Sequence, residues 1–167
     1  MTPTTWNPAD NSTLTLWNGN FTAGGAPSAF GAALQGWLSV RATTSHTSGL
    51  WYFRIRANCF GANGDFMIGV ANANAPLNNY IGASSNGIGS QYGGALGARQ
   101  IYLGGGVVGH VPALGVEGDY AVIAINLNSN LYWSTVQNSG VLGSWNSGSG
   151  TPAAGTQPWA RLTPQRL

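Results

Sequence analysis

The carboxylates that could act in acid–base chemistry are few in this chain. Glu117 and Asp119 are the only two acids that lie close together in the sequence, and a glycoside hydrolase needs two carboxylates about 5 to 10 Å apart. In a site of the E-x-D-x-E type a third acid would follow, but that position is Ala121. The pair therefore favours a solvated turn, and glycoside hydrolysis is the least favoured function that we consider.

A glycine pattern similar to a nucleotide-binding loop follows a predicted strand. Gly104, Gly106 and Gly109 match G-x-G-x-x-G, a pattern that needs a helix directly after it so that the helix N-terminus faces the pyrophosphate. The next residues, His110 to Pro112, cannot begin such a helix. The pattern therefore predicts a glycine-rich hairpin turn.

The remaining reactive side chains form no catalytic or metal-binding set. No serine lies in G-x-S-x-G, and neither His46 nor His110 has a candidate nucleophile and acid near it. Cys59 is the single cysteine, which excludes an internal disulfide and indicates a small buried thiol. Four scattered acids do not suit calcium. The sequence predicts no enzyme, no cofactor and no metal.

Aromatic rings beside amide side chains are the more informative chemistry. The chain has seven Trp and six Tyr, and several of them fall in predicted loops. A ring with neighbouring amides offers apolar area and hydrogen bonds without charge, which suits a neutral sugar or a peptide backbone. The candidate ligand-binding residues are Asn78, Asn79, Tyr80, Gln91, Tyr92, Trp145 and Asn146. For Trp145 and for Trp159 an alternative stays open, in which the ring closes one end of the fold.

Charge is scarce along the chain. Charged residues make up 6% of the 167 residues, the formal net charge is +2, and there is no lysine. Binding of nucleic acid by counterion release needs several cations clustered on one face. We therefore expect no nucleic-acid partner.

The length predicts a single domain over residues 1–167, with a short leader over 1–11 and a loop-rich tail over 140–167. No apolar run approaches the ~18 residues of a membrane span. The first residues also lack the basic and apolar regions of a signal peptide. We expect a protein that has no membrane span and does not follow the general secretory route.

Strands must position these residues, and the clearest signal is a hairpin over Gly118 to Val136. Its first arm carries Val122 and Ala124 on one face and Ile123 and Ile125 on the other. Two apolar faces are expected of a strand inside a two-layer sandwich. We therefore expect this hairpin to lie at the centre of the fold.

Alternation of apolar and polar residues indicates the other strands. They are predicted over residues 13–17, 36–43, 50–58, 65–72, 100–103 and 159–162. Turns are predicted at Asn18-Gly19, Asn63-Gly64 and Asn86-Gly87, with loops over 22–35 and 72–82 and a glycine-rich connection from 87 to 100. We expect the strand over 36–43 to pair with the one over 50–58. The spacing of about ten short strands predicts an all-β, two-layer antiparallel β-sandwich.

Three arginines fall on the polar sides of two predicted strands. Arg41, Arg54 and Arg56 are expected to share one outer face. Such a face is either a stripe for an acidic partner or simply the solvated side of a sheet. We favour the solvated side, because exposed cations on strands also discourage edge pairing.

Six segments follow one another between Trp51 and Trp159: WYFRIRA, FMIGVANANAPLNNYIG, QIYL, GDYAVIAINL, LYWSTV and NSGVLGSWNSGSGTPAAGTQPW. Their order resembles the SPRY (B30.2-like) domain, and the resemblance covers the chain from about Trp6 to Trp159. The APLNNYIG and SGTPAAGTQP stretches are similar to SPRY-like domains of tailed-bacteriophage structural proteins and prophage-encoded proteins. The resemblance implies a concanavalin-like jelly roll and a binding module without catalysis.

The chain departs from the family pattern at three places. The acidic residue of W-Y-F-E is Arg54, the Asp that often ends G-D-V-I-G-V-A-L-D is Asn126, and the N-G-x-W turn is stretched over residues 138–145. Loops choose the ligands of SPRY domains, and the loops differ here. The partners of eukaryotic relatives are therefore not carried over to this chain.

Two functions agree with the resemblance. The first is a tail-fibre, spike or head-decoration protein of a phage or prophage virion, which attaches to a capsid or tail neighbour and presents loops outward or to a bacterial surface glycan. Such a protein assembles in the host cytoplasm. The second is a free bacterial SPRY-like adaptor that binds a peptide of an intracellular partner. Either protein can be a monomer or an oligomer.

Overall fold

The structure is a computed structural model and describes residues 4–12, 14–24, 37–58, 66–92, 99–114, 116–145, 151–153 and 160–161. Several of the sequence predictions fall outside these ranges. They concern Cys59, the turn at residues 63–64, Asn146 and Trp159.

Thirteen short strands account for most of the described residues. They are β1 Trp6–Asn11, β2 Thr15–Trp17, β3 Thr22–Gly24, β4 Val40–Ala42, β5 Leu50–Arg56, β6 Phe66–Ala71, β7 Gly87–Tyr92, β8 Gln100–Leu103, β9 Gly106–His110, β10 Tyr120–Asn126, β11 Leu131–Asn138, β12 Val141–Leu142 and β13 Ala160–Arg161. Every pairing between them is antiparallel. The predicted all-β antiparallel class is confirmed.

Two sheets carry the fold. The five-stranded sheet has the order β12-β11-β10-β5, and β13 also pairs with β11. The four-stranded sheet has the order β6-β7-β8-β9. Two small ribbons, β1-β4 and β2-β3, complete the described strands.

The core lies between the inner faces of these two sheets. Ile88 and Ile101 of the four-stranded sheet join Ile123 and Tyr132 of the five-stranded sheet in one cluster, and all four are fully buried. Burying an aliphatic side chain of this size contributes about 1.5–3 kcal/mol. This packing confirms the two-layer sandwich.

The predicted central hairpin is also confirmed. β10 pairs with β11 from Tyr120 opposite Gln137 to Asn126 opposite Leu131. Both faces of β10 are buried. Ile123 packs into the core between the sheets, and Ala124 packs with Trp133 on the outer face of the five-stranded sheet. The alternation of apolar residues on both faces of the first arm follows from this position.

The strand β7 corrects one sequence prediction. Residues 87–92 were expected to begin a turn and a glycine-rich connection, but they form a central strand between β6 and β8. Ile88, Ser90 and Tyr92 alternate towards the core and are fully buried. Glycine in a strand marks a close approach of other backbone, and Gly89 meets such a segment on the outer face.

Strand pairing corrects two further predictions. β4 pairs with β1, which lies in the predicted leader, and β5 pairs with β10, so that Phe53 lies opposite Ile123. The expected pairing of residues 36–43 with 50–58 is therefore wrong. Residues 22–24, predicted as loop, form β3 and complete the hairpin that Asn18-Gly19 indicated.

Candidate functional site

The connection between β6 and β7, residues 72–86, is the loop that presents Tyr80. Its two ends are tied together, because the Asn72 N–H donates to the Asn86 carbonyl at 2.9 Å and the Asn72 side-chain amide donates to Asn86 Oδ1 at 3.2 Å. Asn72 is buried, and its Oδ1 also accepts the Asn74 N–H at 2.9 Å. These amides close the loop at its base.

The loop lies on the outer face of the four-stranded sheet. A Cβ atom on Gly89 would overlap both Cγ2 and the carbonyl oxygen of Ile81, and a Cβ atom on Gly82 would overlap the carbonyl oxygen of Tyr102. The Gly105 N–H also donates to the Gly82 carbonyl at 2.8 Å. The glycines therefore let the loop backbone approach the sheet closely.

Residues next to and within β4 hold the loop from the other side. The Ser39 N–H donates to the Leu77 carbonyl at 2.9 Å, and Ser39 Oγ donates to the Asn79 carbonyl at 3.0 Å. The Arg41 guanidinium donates to the carbonyls of Ala73 and Ala75. The loop is thus tied to two separate parts of the fold.

Arg41 is therefore a loop anchor and does not lie in a common stripe with Arg54 and Arg56. Its guanidinium forms an ion pair with Asp10 at 2.6 Å across the β1-β4 ribbon. Arg54 and Arg56 lie on the outer face of β5, in the five-stranded sheet. The sequence prediction of one shared face is wrong, because β4 does not pair with β5.

Three half-buried rings meet at the loop, and we call them the Tyr80 cluster: Trp37, Tyr80 and Tyr102. The Tyr80 ring lies 5.3 Å from the Tyr102 ring at 66° and 5.8 Å from the Trp37 ring at 60°. Edge-to-face pairs of this kind fix ring orientation. The exposed amide residues Asn78 and Asn79 directly precede Tyr80. Rings and amides thus lie side by side at this loop.

Gln91 and Tyr92 are not in a loop, contrary to the sequence prediction. Both belong to β7, where Tyr92 is fully buried and Gln91 is 7% exposed. The Tyr92 hydroxyl donates to the Thr135 carbonyl at 3.3 Å, and its ring stacks on Phe66. Tyr92 therefore belongs to the core between the sheets and is not presented to a surface ligand.

Trp145 lies on the opposite side of the sandwich from Tyr80. Its half-buried ring packs on Ala124, Leu131 and Trp133, and it meets the Tyr52 ring at 6.4 Å in an edge arrangement. The preceding backbone is fixed because Thr135 Oγ1 donates to the Ser144 carbonyl at 2.9 Å. Trp145 therefore covers the outer face of the five-stranded sheet and does not close an end of the sandwich.

The acidic pair is divided between two environments. Asp119 is buried, and its carboxylate accepts the backbone N–H groups of Val116 at 2.9 Å and Ser139 at 2.7 Å. Glu117 is exposed. Asp119 therefore links the turn before β10 to the turn after β11 through these hydrogen bonds, which is a structural role.

The glycine pattern at residues 104–109 forms a hairpin turn, as predicted. Gly104 and Gly105 have positive φ angles of 62° and 80°, which a two-residue hairpin turn of the primed type requires. The strand β9 follows directly. No helix N-terminus is offered to a phosphate at this place.

Two tyrosine hydroxyls in the core have raised pKa values. Burial raises the pKa of Tyr92 above its usual value of about 10, against the opposing effect of the Ser134 and Ser90 hydroxyls. Burial also raises the pKa of Tyr132, and the nearby Tyr92 adds to the increase. These hydroxyls stay neutral and act as structural hydrogen-bond groups.

Within the described ranges, no three His, Cys, Asp or Glu side chains lie together as a metal site would need. The same ranges include no helix with the length and hydropathy to cross a membrane.

No protein-family model matches the chain, and no curated protein matches it.

Sequence reasoning found Asn78, Asn79 and Tyr80 but missed the residues that surround them. Trp37 and Tyr102 were considered only as parts of strands, and Arg41 only as a surface charge. One signal was available for Tyr102, because alternation with the apolar Ile101 and Leu103, which pack in the core cluster, places it on the outer face of β8. The position of Trp37 depends on contacts between distant segments, which a local pattern does not show.

Proposed function

We propose that this chain is a non-enzymatic binding module of a phage or prophage virion, in a tail fibre, spike or head decoration. We propose further that it recognises a neutral bacterial surface glycan through the Tyr80 cluster and its amides. The virion part is supported by the resemblance of the strand segments to SPRY-like domains of phage structural proteins. The glycan part is supported by the site itself.

The rigid presentation of the Tyr80 ring is the observation that carries the glycan part. The loop is closed by Asn72 and Asn86 and anchored by Ser39 and Arg41. A ring held in place before binding loses little conformational entropy on binding. Apolar ring area beside the amides of Asn78 and Asn79 suits a sugar, whose faces are apolar and whose edge carries hydroxyls.

A binding function is also supported by the structural role of the Asp119 carboxylate. In a glycosidase both carboxylates must reach the substrate. The Asp119 carboxylate instead lies buried between two backbone N–H groups. This arrangement favours recognition over hydrolysis for the chain.

An array of bacterial surface polysaccharides tests the glycan part. We expect the wild-type protein to bind neutral glycans and the Tyr80→Ala variant to bind them at least about tenfold more weakly. Phe21→Ala is the matched control, since Phe21 is an aromatic residue 55% exposed at the turn of the β2-β3 ribbon. If no glycan binds, or if both variants lose binding equally, the glycan part is wrong.

Copurification tests the virion part separately. We expect the protein in purified particles, and phage structural genes beside its own gene. If it is absent from particles and its gene lies among unrelated genes, a free SPRY-like adaptor for a peptide becomes the better proposal.

A further inference from the structure

The strand β5 forms one edge of the five-stranded sheet and is unusually open. Among the described residues, no strand pairs with β5 on the side away from β10. Leu50 is 72% exposed, Trp51 38% and Tyr52 56%. An open edge strand with large apolar side chains is a template for another strand.

The register with β10 shows which backbone groups of β5 face outward. The Leu127 N–H donates to the Gly49 carbonyl, and the Ala57 N–H donates to the Asp119 carbonyl, both at 2.9 Å. Gly49 and Ala57 flank β5 and continue its register with β10. Hydrogen-bonded pairs alternate along an antiparallel ladder, so the odd-numbered residues of β5 direct their backbone groups towards β10. The N–H and C=O groups of residues 50, 52, 54 and 56 therefore point away from β10, towards the open edge.

Two of the four outer-face side chains of β5, Arg54 and Arg56, are cationic and lie next to each other on that face. Arg54 donates to Gln137 Oε1 at 2.8 Å and lies 4.5 Å from the centre of the Tyr120 ring, and Arg56 donates to the Gly118 carbonyl at 3.1 Å. All these partners are neutral. Within the described ranges neither arginine makes an ion pair, so the edge carries two oriented positive charges.

A second copy of this chain fits the edge poorly. In an antiparallel pairing of β5 with itself about Phe53, Arg54 of each copy would lie opposite Tyr52 of the other, and the two Arg54 side chains would be diagonal neighbours on one face. Diagonal neighbours on adjacent strands are within reach of long side chains, so the two like charges would repel each other. The cations that oppose self-pairing attract a strand of the opposite charge.

We infer that the β5 edge is a docking strand for an extended segment of a partner protein, with acidic residues facing Arg54 and Arg56. Apolar residues alternate with those acids and extend the inner face beside Phe53 and Ile55, which are half-buried at the sandwich rim. The main-chain groups at even positions supply the ladder bonds, and the charges select the partner. This inference stands apart from the glycan proposal, because β5 and the Tyr80 loop belong to different sheets.

Two peptides of roughly eight residues test the inference. One alternates Glu with Val and the other alternates Lys with Val. In a nuclear magnetic resonance titration we expect the Glu peptide to shift the amide signals of Leu50, Tyr52, Arg54 and Arg56. We expect the Lys peptide to bind at least about tenfold more weakly, because the contacts with Arg54 and Arg56 change from attractive to repulsive.

Two substitutions at Tyr52 distinguish the contribution of its backbone N–H to peptide binding from that of its side chain. Tyr52→Pro removes one outward N–H, whereas its matched control Tyr52→Ala removes the ring and keeps that N–H. We expect the proline variant to lose at least about tenfold more affinity for the Glu peptide than the alanine variant. Denaturant unfolding of the two variants shows whether each is folded.

Reversal of charge gives a test that does not depend on proline. The double variant Arg54→Glu, Arg56→Glu should prefer the Lys peptide. Equal binding of the two peptides, or no shift of the β5 amides with either, would overturn the inference. A concentration-dependent dimer that Tyr52→Pro abolishes would overturn it in favour of a second copy.

Discussion

The hydroxyls of Ser90 and Tyr132 lie 2.8 Å apart and join the two sheets across the core. Both side chains are fully buried, one on β7 and the other on β11. A buried hydroxyl costs free energy unless it is hydrogen-bonded. The pair therefore fixes how the sheets face each other while removing its own desolvation cost.

Loss of one member of this pair is expected to destabilise the fold. Tyr132→Phe leaves the Ser90 hydroxyl with its main partner removed, which costs about 1–3 kcal/mol of unfolding free energy. The double variant Tyr132→Phe, Ser90→Ala should cost less than the sum of the two single changes, by about 0.5 kcal/mol or more. Urea unfolding of the four proteins measures this coupling, and strict additivity would contradict a shared hydrogen bond.

Alkaline pH is expected to unfold the protein through Tyr92 and Tyr132. Burial raises the pKa of both hydroxyls in the folded state, while in the unfolded state a tyrosine titrates near about 10. Their stabilising effect is complete below about pH 10 and is lost as the pH rises above that value. The free energy of unfolding should then fall by up to about 1.4 kcal/mol per pH unit for each tyrosine.

Urea midpoints between about pH 8 and 11.5 measure this slope. The chain has no lysine, so no ammonium side chain titrates over this range. Tyr92→Phe should reduce this slope relative to the wild type. An unchanged slope in Tyr92→Phe would show that this residue does not control alkaline unfolding.

The close contact between Gly89 and Ile81 is expected to hold the Tyr80 loop in position. In Gly89→Ala the new methyl group overlaps Ile81, and such overpacking typically costs about 1–3 kcal/mol. The loop must move away from the sheet, so glycan binding should weaken together with stability. Gly106→Ala is the control, because its Cβ would meet only the Leu103 carbonyl oxygen at 3.8 Å.

Much of the strand content could be predicted from local alternation, as β5, β6, β8, β10 and β11 demonstrate. The strand β7 was not predicted because its glycines resemble a turn signal. Ile88, Ser90 and Tyr92 nevertheless lie at every second position and share the core face of the strand. Glycine is required there by a loop that packs on the sheet, which is a tertiary cause. Pairing of β5 with β10 joins residues far apart in sequence, and a local pattern carries no information about it.

The candidate site was predictable only in part for the same reason. Tyr80 and its amides stand out in the sequence, whereas the choice between a surface ring and a core ring depends on what covers it. Tyr92 and Tyr80 have similar polar neighbours in sequence, yet one lies between the sheets and the other lies on the outer face. Burial of that kind is decided by strand position in the whole fold.

Trp145 is expected to contribute to stability and not to glycan binding at the Tyr80 cluster. It covers Trp133 on the far side of the sandwich, so Trp145→Ala should lower the free energy of unfolding by about 1–2 kcal/mol. For comparison, Ile123 is fully buried, and Ile123→Ala should lower the free energy of unfolding by about 2–4 kcal/mol. Loss of glycan binding in a folded Trp145→Ala protein would assign a ligand to that face.

Asp119 is expected to be needed for folding and not for hydrolysis. Asp119→Ala leaves the N–H groups of Val116 and Ser139 without their acceptor, which should cost about 1–3 kcal/mol or more. Glu117→Gln changes an exposed side chain and should stay within about 0.5 kcal/mol of the wild type. Release of reducing ends from a polysaccharide by the wild type, abolished in a folded Glu117→Gln protein, would contradict the structural role and restore the hydrolase.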